Sequence, residues 1–518
     1  MAKIEIKFDG GWSTHEETGI KNNQVSIAQN ASFDSSFRLG VRPGQGNFGD
    51  EIAGVDGVKN VYSTRLSDGT KILLAFAGTS MYRYNTGTGA WAAIKTGLTA
   101  GTKFSFLTYK DIISWTNGVD NFMDYDGTTV TEKPDVPKGK YMVLESDVAY
   151  MGGIETDPSL VVFTDANPTS LSADGFQNDI SINEDEGYIT GMGILGRFPV
   201  IGKSKGTGIY LLNVGTDPIS LEPLDFDGDV VSPYAISNVE NDMIFVSSRG
   251  VYSLAQRKGG EGIYRAYPWN GDIDAAFKRL GDKSLAASIY FRPTNNVYFC
   301  FDSGSGRNDT TFVYSVFASI PGQYQYKWTE YKNWAFNDFA VWEDDDGVSH
   351  LLAAPAYGGQ IVEVEKKGTY SDNGLGINFR VKSKTFDLDA SGTLKIWENL
   401  EITLLITQGE QATIVINADG VESSHVVDGS NFAVGDSAEY QALGDAPLSE
   451  YALGGGSINI DGINYYVASV RIPVVKYARR FSMQVETNSL NSAIKIIKAT
   501  VDVVAMDESL IPASSYST

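Results

Sequence analysis

The stretch ILLAFAGTSMYRY (residues 72–84) joins a short apolar run, a gap that carries glycine, and an apolar strand with tyrosine. Six further stretches repeat this pattern: IISWTNGVDNFMDYDG from Ile112, LVVFTDANPTSL from Leu160, VIGKSKGTGIYLL from Val200, MIFVSSRGVYSLA from Met243, VYFCFDSGSG from Val297 and LLAAPAYGGQIVEV from Leu351. Their starts are 40, 48, 40, 43, 54 and 54 residues apart. Propeller blades of four strands repeat at about 40 to 50 residues. The spacing therefore predicts an all-β chain with a β-propeller of about seven blades over residues 57–375.

Glycines inside these repeats are expected to form tight turns. Glycine adopts positive φ without Cβ strain, and we expect this conformation at Gly78, Gly118, Gly208, Gly250 and Gly359. Closing a ring of blades removes exposed sheet edges and usually needs a strand from elsewhere in the chain. Residues 1–56 are predicted to be an N-terminal arm, in which the alternating residues Ile4, Ile6 and Phe8 are the candidate closing strand.

The spacing changes after Gly374, and longer alternating segments follow. They are FRVKSKTFDLD, IWENLEITLLITQ, ATIVINADG, YYVASVRIPVV, RRFSMQVET and AIKIIKATVDVVAM. Alternation over about 130 residues predicts a C-terminal antiparallel β-sandwich at 376–510. The glycine-rich 444–457 is expected to be a long loop, and 511–518 a tail. One helix is expected from Asp272 to Leu280, capped by Asp272 and ended by Gly281.

Composition and charge narrow the function classes. The net charge is −23, and no basic cluster exceeds Arg479 and Arg480 with Lys476 nearby, which disfavours stable binding to nucleic acid. Cys300 is the single cysteine, so an intrachain disulfide or a cysteine cluster for zinc is not possible. The N-terminus has no long apolar core of a signal peptide, and no run of about 18 apolar residues predicts a membrane span. Folding in a reducing cytoplasm is expected.

Acidic clusters are the first candidates for catalysis, because two carboxylates that flank a glycosidic bond can hydrolyse it. The clusters are Asp124 with Asp126, Asp225 with Asp227 and Asp229, Asp272 with Asp274, and the run Glu343 to Asp346. YDGTT, DFDGD and DDDG are acidic turns with glycine, in which Asp bonds its own backbone. We therefore predict solvated turns and no catalytic residues. The run from Asp225 to Asp229 lacks the full ligand series of a calcium loop, and no metal or cofactor is expected.

The sequence contains no motif for nucleophilic catalysis or for nucleotide binding either. His15, His350 and His425 have no nucleophile motif near them, and GTKFSF (residues 101–106) lacks the residues that complete a phosphate-binding loop. Tyr324, Tyr326 and Trp328 alternate, so they are expected on one face of a strand. Packing between blades is the favoured interpretation, and contact with a sugar or partner is the alternative.

The least generic segment is GGWSTHEETGIKNNQVSIAQNASFDSSFRLGVRPGQ, with the pair Gly10 and Gly11, the asparagines Asn22 and Asn30, then Phe33 and Arg38, and the turn Arg42-Pro43-Gly44. Over residues 10–44 it resembles the opening of the nozzle or hub (stabilisation) β-propeller proteins in the virions of short-tailed bacteriophages. The blades and the ending RRFSMQVETNSLNSAIKIIKATVDVV also look like theirs. These family proteins are often longer, with larger blade insertions.

The resemblance implies a non-enzymatic structural protein of a viral tail, assembled as a cyclic homo-oligomer around the genome channel and located in the virion after synthesis in the host cytoplasm. Its expected partners are other tail proteins, on the adaptor or portal side and among distal tail or fibre proteins. Rim loops and residues 430–460 are the expected contact sites. The alternative is a carbohydrate-binding or glycoside-hydrolysing propeller that acts on host surface glycans. A cellular peptide-binding scaffold ranks last, because repeated Trp-Asp or double-glycine signatures are absent from the sequence.

Overall fold

The computed structural model describes residues 2–16, 19–182, 187–206, 208–213, 220–224, 226–256, 264–316, 327–429, 457–460 and 463–505. These residues form two compact units. The first unit comprises Met1–Gly46, Tyr314–Tyr331 and Glu365–Thr518, and the second comprises Asn47–Val313 and Lys332–Val364. Both units are built from β-strands, so the all-β class predicted from the sequence is confirmed.

Short strands occupy the N-terminal segment. They are β1 (Ala2–Ile6), β2 (Val25–Gln29), β3 (Ala31–Phe33), β4 (Leu39–Val41) and β5 (Gly44–Asn47). Strand β1 pairs antiparallel with the last strand of the chain, where Ile4 lies opposite Val501. The prediction that Ile4, Ile6 and Phe8 close the propeller is therefore wrong, since this strand extends the C-terminal sheet instead.

Six consecutive sets of four strands follow, and within each set the strands lie in sheet in chain order. The sets are β6 (Val58–Arg65), β7 (Lys71–Ala77), β8 (Ser80–Tyr84) and β9 (Trp91–Lys95); β10 (Ser105–Tyr109), β11 (Ile112–Thr116), β12 (Phe122–Tyr125) and β13 (Val130–Lys133); β14 (Tyr141–Glu145), β15 (Val148–Gly152), β16 (Leu160–Phe163) and β17 (Asn178–Ser181); β18 (Ile189–Leu195), β19 (Phe198–Lys203), β20 (Ile209–Asn213) and β21 (Ser220–Pro223); β22 (Ile236–Val239), β23 (Asp242–Ser247), β24 (Gly250–Gln256) and β25 (Tyr264–Pro268); and β26 (Ala287–Phe291), β27 (Asn296–Asp302), β28 (Asn308–Ser315) and β29 (Trp328–Lys332). The sequence prediction of a β-propeller is confirmed.

The predicted number of blades is corrected from about seven to six. Three strands rather than four follow the sixth blade: β30 (Phe336–Glu343), β31 (Ser349–Pro355) and β32 (Val362–Lys366). The N-terminal part of the same unit runs beside this set. The Phe48 N–H donates to the Ile361 carbonyl at 2.9 Å, and the Ile52 N–H donates to the Gly359 carbonyl at 3.1 Å. The closing segment of the propeller unit is therefore 47–52, which we call the closing segment below.

Apolar side chains fill the spaces between neighbouring blades. Ile72 and Phe76 of the first blade pack in one cluster with Ile113 and Trp115 of the second. A further cluster joins the first blade to the three-strand set, with members that include Val58, Ala75, Ala340, Trp342 and Leu352. Because a twisted sheet with two apolar faces needs a neighbour on each side, this last cluster completes the ring of packed sheets.

The turn glycines behave in two ways. Gly78, Gly118 and Gly208 have φ of 61°, 76° and 69°, so the positive φ predicted for them is confirmed. Gly250 and Gly359 are not among the positive-φ glycines, and the prediction for them is wrong. Close approach requires glycine there instead: a Cβ at Gly359 would lie 1.9 Å from the Ile52 carbonyl oxygen in the closing segment.

Helical structure is shorter than the expected segment from Asp272 to Leu280. A 3-10 turn covers Gly271–Ile273, and the α-helix α1 covers Asp274–Lys278. The N-cap residue of α1 is Ile273, without a side-chain cap, so Asp272 does not cap this helix. Three other 3-10 turns lie in the described residues, at Ala173–Gly175, Pro233–Ala235 and Lys283–Leu285.

The first unit holds the remaining strands: β33 (Ser371–Asp372), β34 (Leu375–Gly376), β35 (Phe379–Ser383), β36 (Lys395–Ile406), β37 (Gln411–Ala418), β38 (Val421–Asp428), β39 (Ser457–Ile460), β40 (Ile463–Ala478), β41 (Phe481–Thr487) and β42 (Ile494–Ala505). One strand order is β3-β4-β42-β36-β40-β39, and another runs β2-β35-β41-β37-β38. The expected antiparallel pairing is confirmed for these long strands.

The C-terminal strands form a curled antiparallel half-barrel rather than the predicted β-sandwich. Register shifts interrupt β36 between Trp397 and Asn399 and between Thr403 and Leu404. A bulge bends a strand and increases its local twist, which makes a long sheet curl. Trp397 stacks on Phe481 with ring centroids 4.8 Å apart, and both side chains are buried. The predicted loop at 444–457 and tail at 511–518 lie outside the described residues, apart from Ser457.

Candidate functional site

A cavity lies where the first strands of the propeller sets approach one another. It has a volume of about 210 Å³. The residues that line it belong to β6, β10, β14, β18 and β30 or directly precede those strands or β22, and they are Asn60, Val61, Tyr62, Phe104, Ser105, Phe106, Tyr141, Met142, Met192, Pro233, Tyr234, Asp338 and Phe339. We call it the axial cavity. First strands face the axis of a propeller, and small-molecule sites favour concave, aromatic-lined places of this kind.

Asp338 supplies the carboxylate of this cavity. Its Oδ2 accepts a hydrogen bond from Asn60 Nδ2 at 2.9 Å and another from the Val61 N–H at 3.3 Å. Asn60 is itself fixed, because its Oδ1 accepts from the Phe104 N–H at 2.7 Å. Burial raises the pKa of Asp338, and the charge of Lys103 and these hydrogen bonds offset part of the rise. The carboxylate is therefore positioned by β6 and only partly compensated.

Lys103 lies beside the axial cavity and makes two contacts. Its Nζ donates to the Asn337 carbonyl at 2.5 Å and lies 4.4 Å from the centroid of the Tyr234 ring, a cation–π distance. Burial lowers the pKa of Lys103 to about 8, although the charge of Asp338 opposes that shift. Lys103 and Asp338 are both half-buried, since protein surrounds them while each still has solvent access.

Three phenols, those of Tyr62, Tyr141 and Tyr234, line the cavity. Burial raises the pKa of Tyr141 to about 12 and raises that of Tyr234 well above its usual value. Both groups therefore stay protonated near neutral pH. Among the described residues that line the cavity, Asp338 is the one carboxylate. Glycoside hydrolysis in its usual form needs two carboxyl groups across the bond, so this lining lacks one of the two groups.

The acidic residues that the sequence placed in turns are held by local hydrogen bonds. Asp126 accepts from the N–H groups of Thr128 at 2.8 Å and Thr129 at 2.7 Å, and these backbone bonds lower its pKa. Asp344 accepts from the N–H groups of Asp346 at 3.0 Å and Val348 at 2.8 Å. For these residues the predicted role as turn acids agrees with the observed bonding.

The other candidate acids have different partners and do not converge on one site. Asp124 accepts from Ser114 Oγ at 2.6 Å and pairs with Lys133. Asp229 accepts from Ser247 Oγ at 2.7 Å, while Asp227 lies 3.7 Å from an Arg249 nitrogen. Asp274 pairs with Lys278 at 2.5 Å. Asp272 is buried in its 3-10 turn, Glu343 ends β30 and lies 3.5 Å from an Arg65 nitrogen, and the Asp345 side chain is fully exposed. Asp225 lies outside the described residues.

One histidine, His350, lies between two carboxylates, a contact that no sequence pattern predicted. His350 Nδ1 lies 2.6 Å from Glu363 Oε1, and Nε2 lies 3.0 Å from Asp344 Oδ2. Burial would lower the pKa of His350, but the two carboxylates outweigh burial and raise it above its usual value. His15 lies before β2, and His425 lies opposite Ile414 in β38. In the part of the chain that the structure describes, no group of three or more His, Cys, Asp or Glu side chains is arranged to hold a metal ion.

The remaining predicted residues lie in packing positions. Trp328 is fully buried and packs on Tyr314 with ring centroids 5.2 Å apart, which agrees with a packing role for this residue. Tyr324 and Tyr326 lie outside the described residues. Cys300 is buried with its Sγ 3.0 Å from Thr311 Oγ1, and burial raises the pKa of its thiol to about 12.

The N-terminal residues that carry the family resemblance make internal contacts of the first unit. Arg42 has no exposed side-chain surface, and its two terminal nitrogens reach the two Asp372 carboxylate oxygens at 2.9 and 2.5 Å. Its Nε donates to Asn30 Oδ1 at 3.1 Å, and Asn30 Nδ2 donates to the Asn378 carbonyl at 2.8 Å. A Cβ at Gly44 would lie 2.1 Å from the Ser371 carbonyl oxygen. This motif therefore holds the N-terminal segment against β33 and β35.

Sequence reasoning missed Lys103, Asp338 and Tyr234. The stretch GTKFSF, which contains Lys103, does not complete a phosphate-binding loop and carries no other local signal for a site. Asp338 and Tyr234 are isolated in the sequence, and such distant positions meet only when the ring of blades closes. The available signal is a charged residue within the apolar first half of β30, FNDFA, where the neighbours of Asp338 are buried. A charge within a buried stretch marks a face toward solvent or a cavity.

Comparisons with known proteins leave the family open. No family model and no curated protein matches this chain. Among solved structures, the extracellular domain of a proposed one-component system from B. thetaiotaomicron matches with 10% identity and a TM-score of 0.38, covering 68% of this chain and 42% of that chain. YCF48 from Cyanidioschyzon merolae matches with 8% identity and a TM-score of 0.39, covering 62% and 98%. The computationally designed protein Ika8 matches with 9% identity and a TM-score of 0.38, covering 61% and 99%. Scores this low carry no argument about function.

Among the described residues, no helix has the length and apolar character needed to cross a membrane.

Proposed function

We propose that this protein is a non-enzymatic structural component of a bacteriophage tail, of the nozzle or hub type. In this role it forms part of a cyclic homo-oligomeric ring around the genome channel and docks other tail proteins. One observation carries the proposal. The segment that resembles virion propeller proteins is built into the framework of the first unit through the Arg42–Asp372 pair, as expected of residues with a structural rather than a catalytic role.

The arrangement of charge supports this function. A net charge of −23 makes the surface repel a nucleic acid that has to pass without sticking. Packed, closed sheets resist deformation, which suits a ring component that transmits contacts between tail proteins. The acids at Asp126, Asp229 and Asp344 serve their own turns and neighbours, so they favour a scaffold over a hydrolase.

The test is made on virus particles. Particles produced without this protein should lack a complete tail, and a map of intact particles should contain density for several copies in a ring. A matched set of particles complemented with the Lys3→Met variant, which changes an exposed pair, should regain the tail. Complete and infectious tails in particles without the protein would contradict the proposal.

The rival function is a carbohydrate-binding or glycoside-hydrolysing propeller. The aromatic lining of the axial cavity together with Asp338 favours it. A reducing-sugar assay on purified protein separates the two functions, because a hydrolase should show turnover that the Asp338→Asn variant abolishes. The Asp345→Asn variant is the control, since its fully exposed side chain lies away from the cavity lining.

A further inference from the structure

The axial cavity contains a carboxylate, that of Asp338, without an ion-pair partner among the described residues. Asn60 Nδ2 and the Val61 N–H both donate to Asp338 Oδ2, and the Phe339 N–H also donates to the carboxylate. Among the described residues, no cationic nitrogen lies within 4 Å of this carboxylate, and Lys103 acts on it through its charge alone. A carboxylate largely surrounded by protein is costly unless a cation or further donors compensate it. Asp338 therefore has hydrogen-bond donors but no direct ion-pair partner among the described residues, and a cationic ligand would supply one.

The walls around this carboxylate are aromatic. Tyr62 and Phe106 stack with centroids 4.8 Å apart and an interplanar angle of 10°, and Tyr141, Tyr234 and Phe339 line the same space. Ring faces carry negative potential and attract cations, most strongly where water is excluded. The Tyr141 and Tyr234 hydroxyls have no hydrogen-bond partner among the described residues, so both are available to a ligand.

We propose that the axial cavity binds a small primary ammonium compound, whose N–H groups donate to Asp338 and whose alkyl chain packs against the aromatic wall. The negative charge of the lining favours a cationic ligand over a neutral polyol, because Asp338 is the one charged side chain among the described residues that line the cavity. The volume of about 210 Å³ suits a compound of a few carbon atoms. This binding is independent of the tail function proposed above.

Lys103 gives the proposal a distinguishing feature. Its ammonium contacts the Asn337 carbonyl and the Tyr234 ring beside the cavity, and its positive charge lowers the pKa of Asp338. It therefore repels a second cation while it partly neutralises the carboxylate. Removing this charge should tighten binding of an ammonium ligand, whereas it should leave binding of a neutral ligand nearly unchanged.

Calorimetric titration of the full chain tests the proposal, with propylammonium chloride as the probe and 1-propanol as a neutral molecule of similar shape. Wild type should bind propylammonium and show no measurable heat with 1-propanol. Asp338→Asn should weaken propylammonium binding about tenfold or more, since a bond to a charged acceptor is lost. Lys103→Met should tighten it several-fold, and the exposed control Asp345→Asn should leave it unchanged.

The overturning results are equally specific. Equal binding of 1-propanol and propylammonium by wild type would show that the charge of the ligand is irrelevant, and this comparison needs no variant to fold. No binding of propylammonium by either wild type or Lys103→Met would overturn the proposal, because the carboxylate would then fail to bind an ammonium group even without the competing charge of Lys103. Melting temperatures of the variants within a few degrees of wild type establish that the titrations report on folded protein.

Discussion

Replacement of Arg42 by methionine should destabilise the first unit strongly. The guanidinium is fully buried, holds both Asp372 oxygens, and lies 5.3 Å from the centroid of the Tyr331 ring. The methionine side chain would fill much of the space but leave the carboxylate of Asp372, which is 11% exposed, without its partner. Breaking a buried pair from one side costs about 3–5 kcal/mol, whereas replacing both partners with apolar residues is often neutral. We therefore expect a loss of about 3–5 kcal/mol for Arg42→Met and substantial recovery for Arg42→Met combined with Asp372→Leu.

Hydrogen exchange followed by mass spectrometry measures this loss where it occurs. Peptides that cover β2 to β5 and β33 to β35 should exchange faster in Arg42→Met, while peptides of the second blade should not. Lys3→Met is the matched control, because the Lys3–Glu401 pair at 2.5 Å has side chains 53% and 43% exposed, and exposed pairs contribute about 0–1 kcal/mol. A loss in Arg42→Met no larger than that in Lys3→Met would refute the reasoning.

Three further outcomes follow from single contacts. Raising the pH should destabilise the three-strand set, because the pKa of His350 is higher in the folded protein than in the unfolded chain. The resulting stabilisation is complete below the unfolded pKa of about 6.5 and is lost as pH rises through the higher folded pKa. Melting curves from pH 6 to 9 should show this loss for wild type and not for His350→Gln. Gly359→Ala should lower the free energy of unfolding by about 1–3 kcal/mol in denaturant titrations, because its Cβ would meet the Ile52 carbonyl oxygen, and Gly271→Ala, with open space around it, should be near neutral. Cys300 should resist a thiol reagent at pH 8 in the native protein and react after denaturation, because burial raises its pKa to about 12; rapid native labelling would contradict the buried position.

Local patterns in the sequence predict the strand class and the repeat. The seven apolar runs all fall on strands, and in each set except the third the run occupies the second strand, as Ile72 does in β7 and Leu351 does in β31. In the third set Leu160 begins β16, the third strand. Turn chemistry is equally local, so Asp126 and Gly78 could be assigned from their neighbours alone. The resemblance to virion propeller proteins, by contrast, remains a proposal.

Only the tertiary structure decided which distant segments meet. Alternation in Ile4, Ile6 and Phe8 marks a strand but does not choose its partner, and the partner is β42 rather than a propeller blade. The closing segment, the six complete blades and the curl of β36 depend on pairings and bulges that are not encoded in any one stretch. The candidate site has the same origin, because Lys103, Tyr234 and Asp338 come from three separate parts of the chain. Their proximity arises from ring closure, and their altered pKa values arise from burial that no local pattern contains.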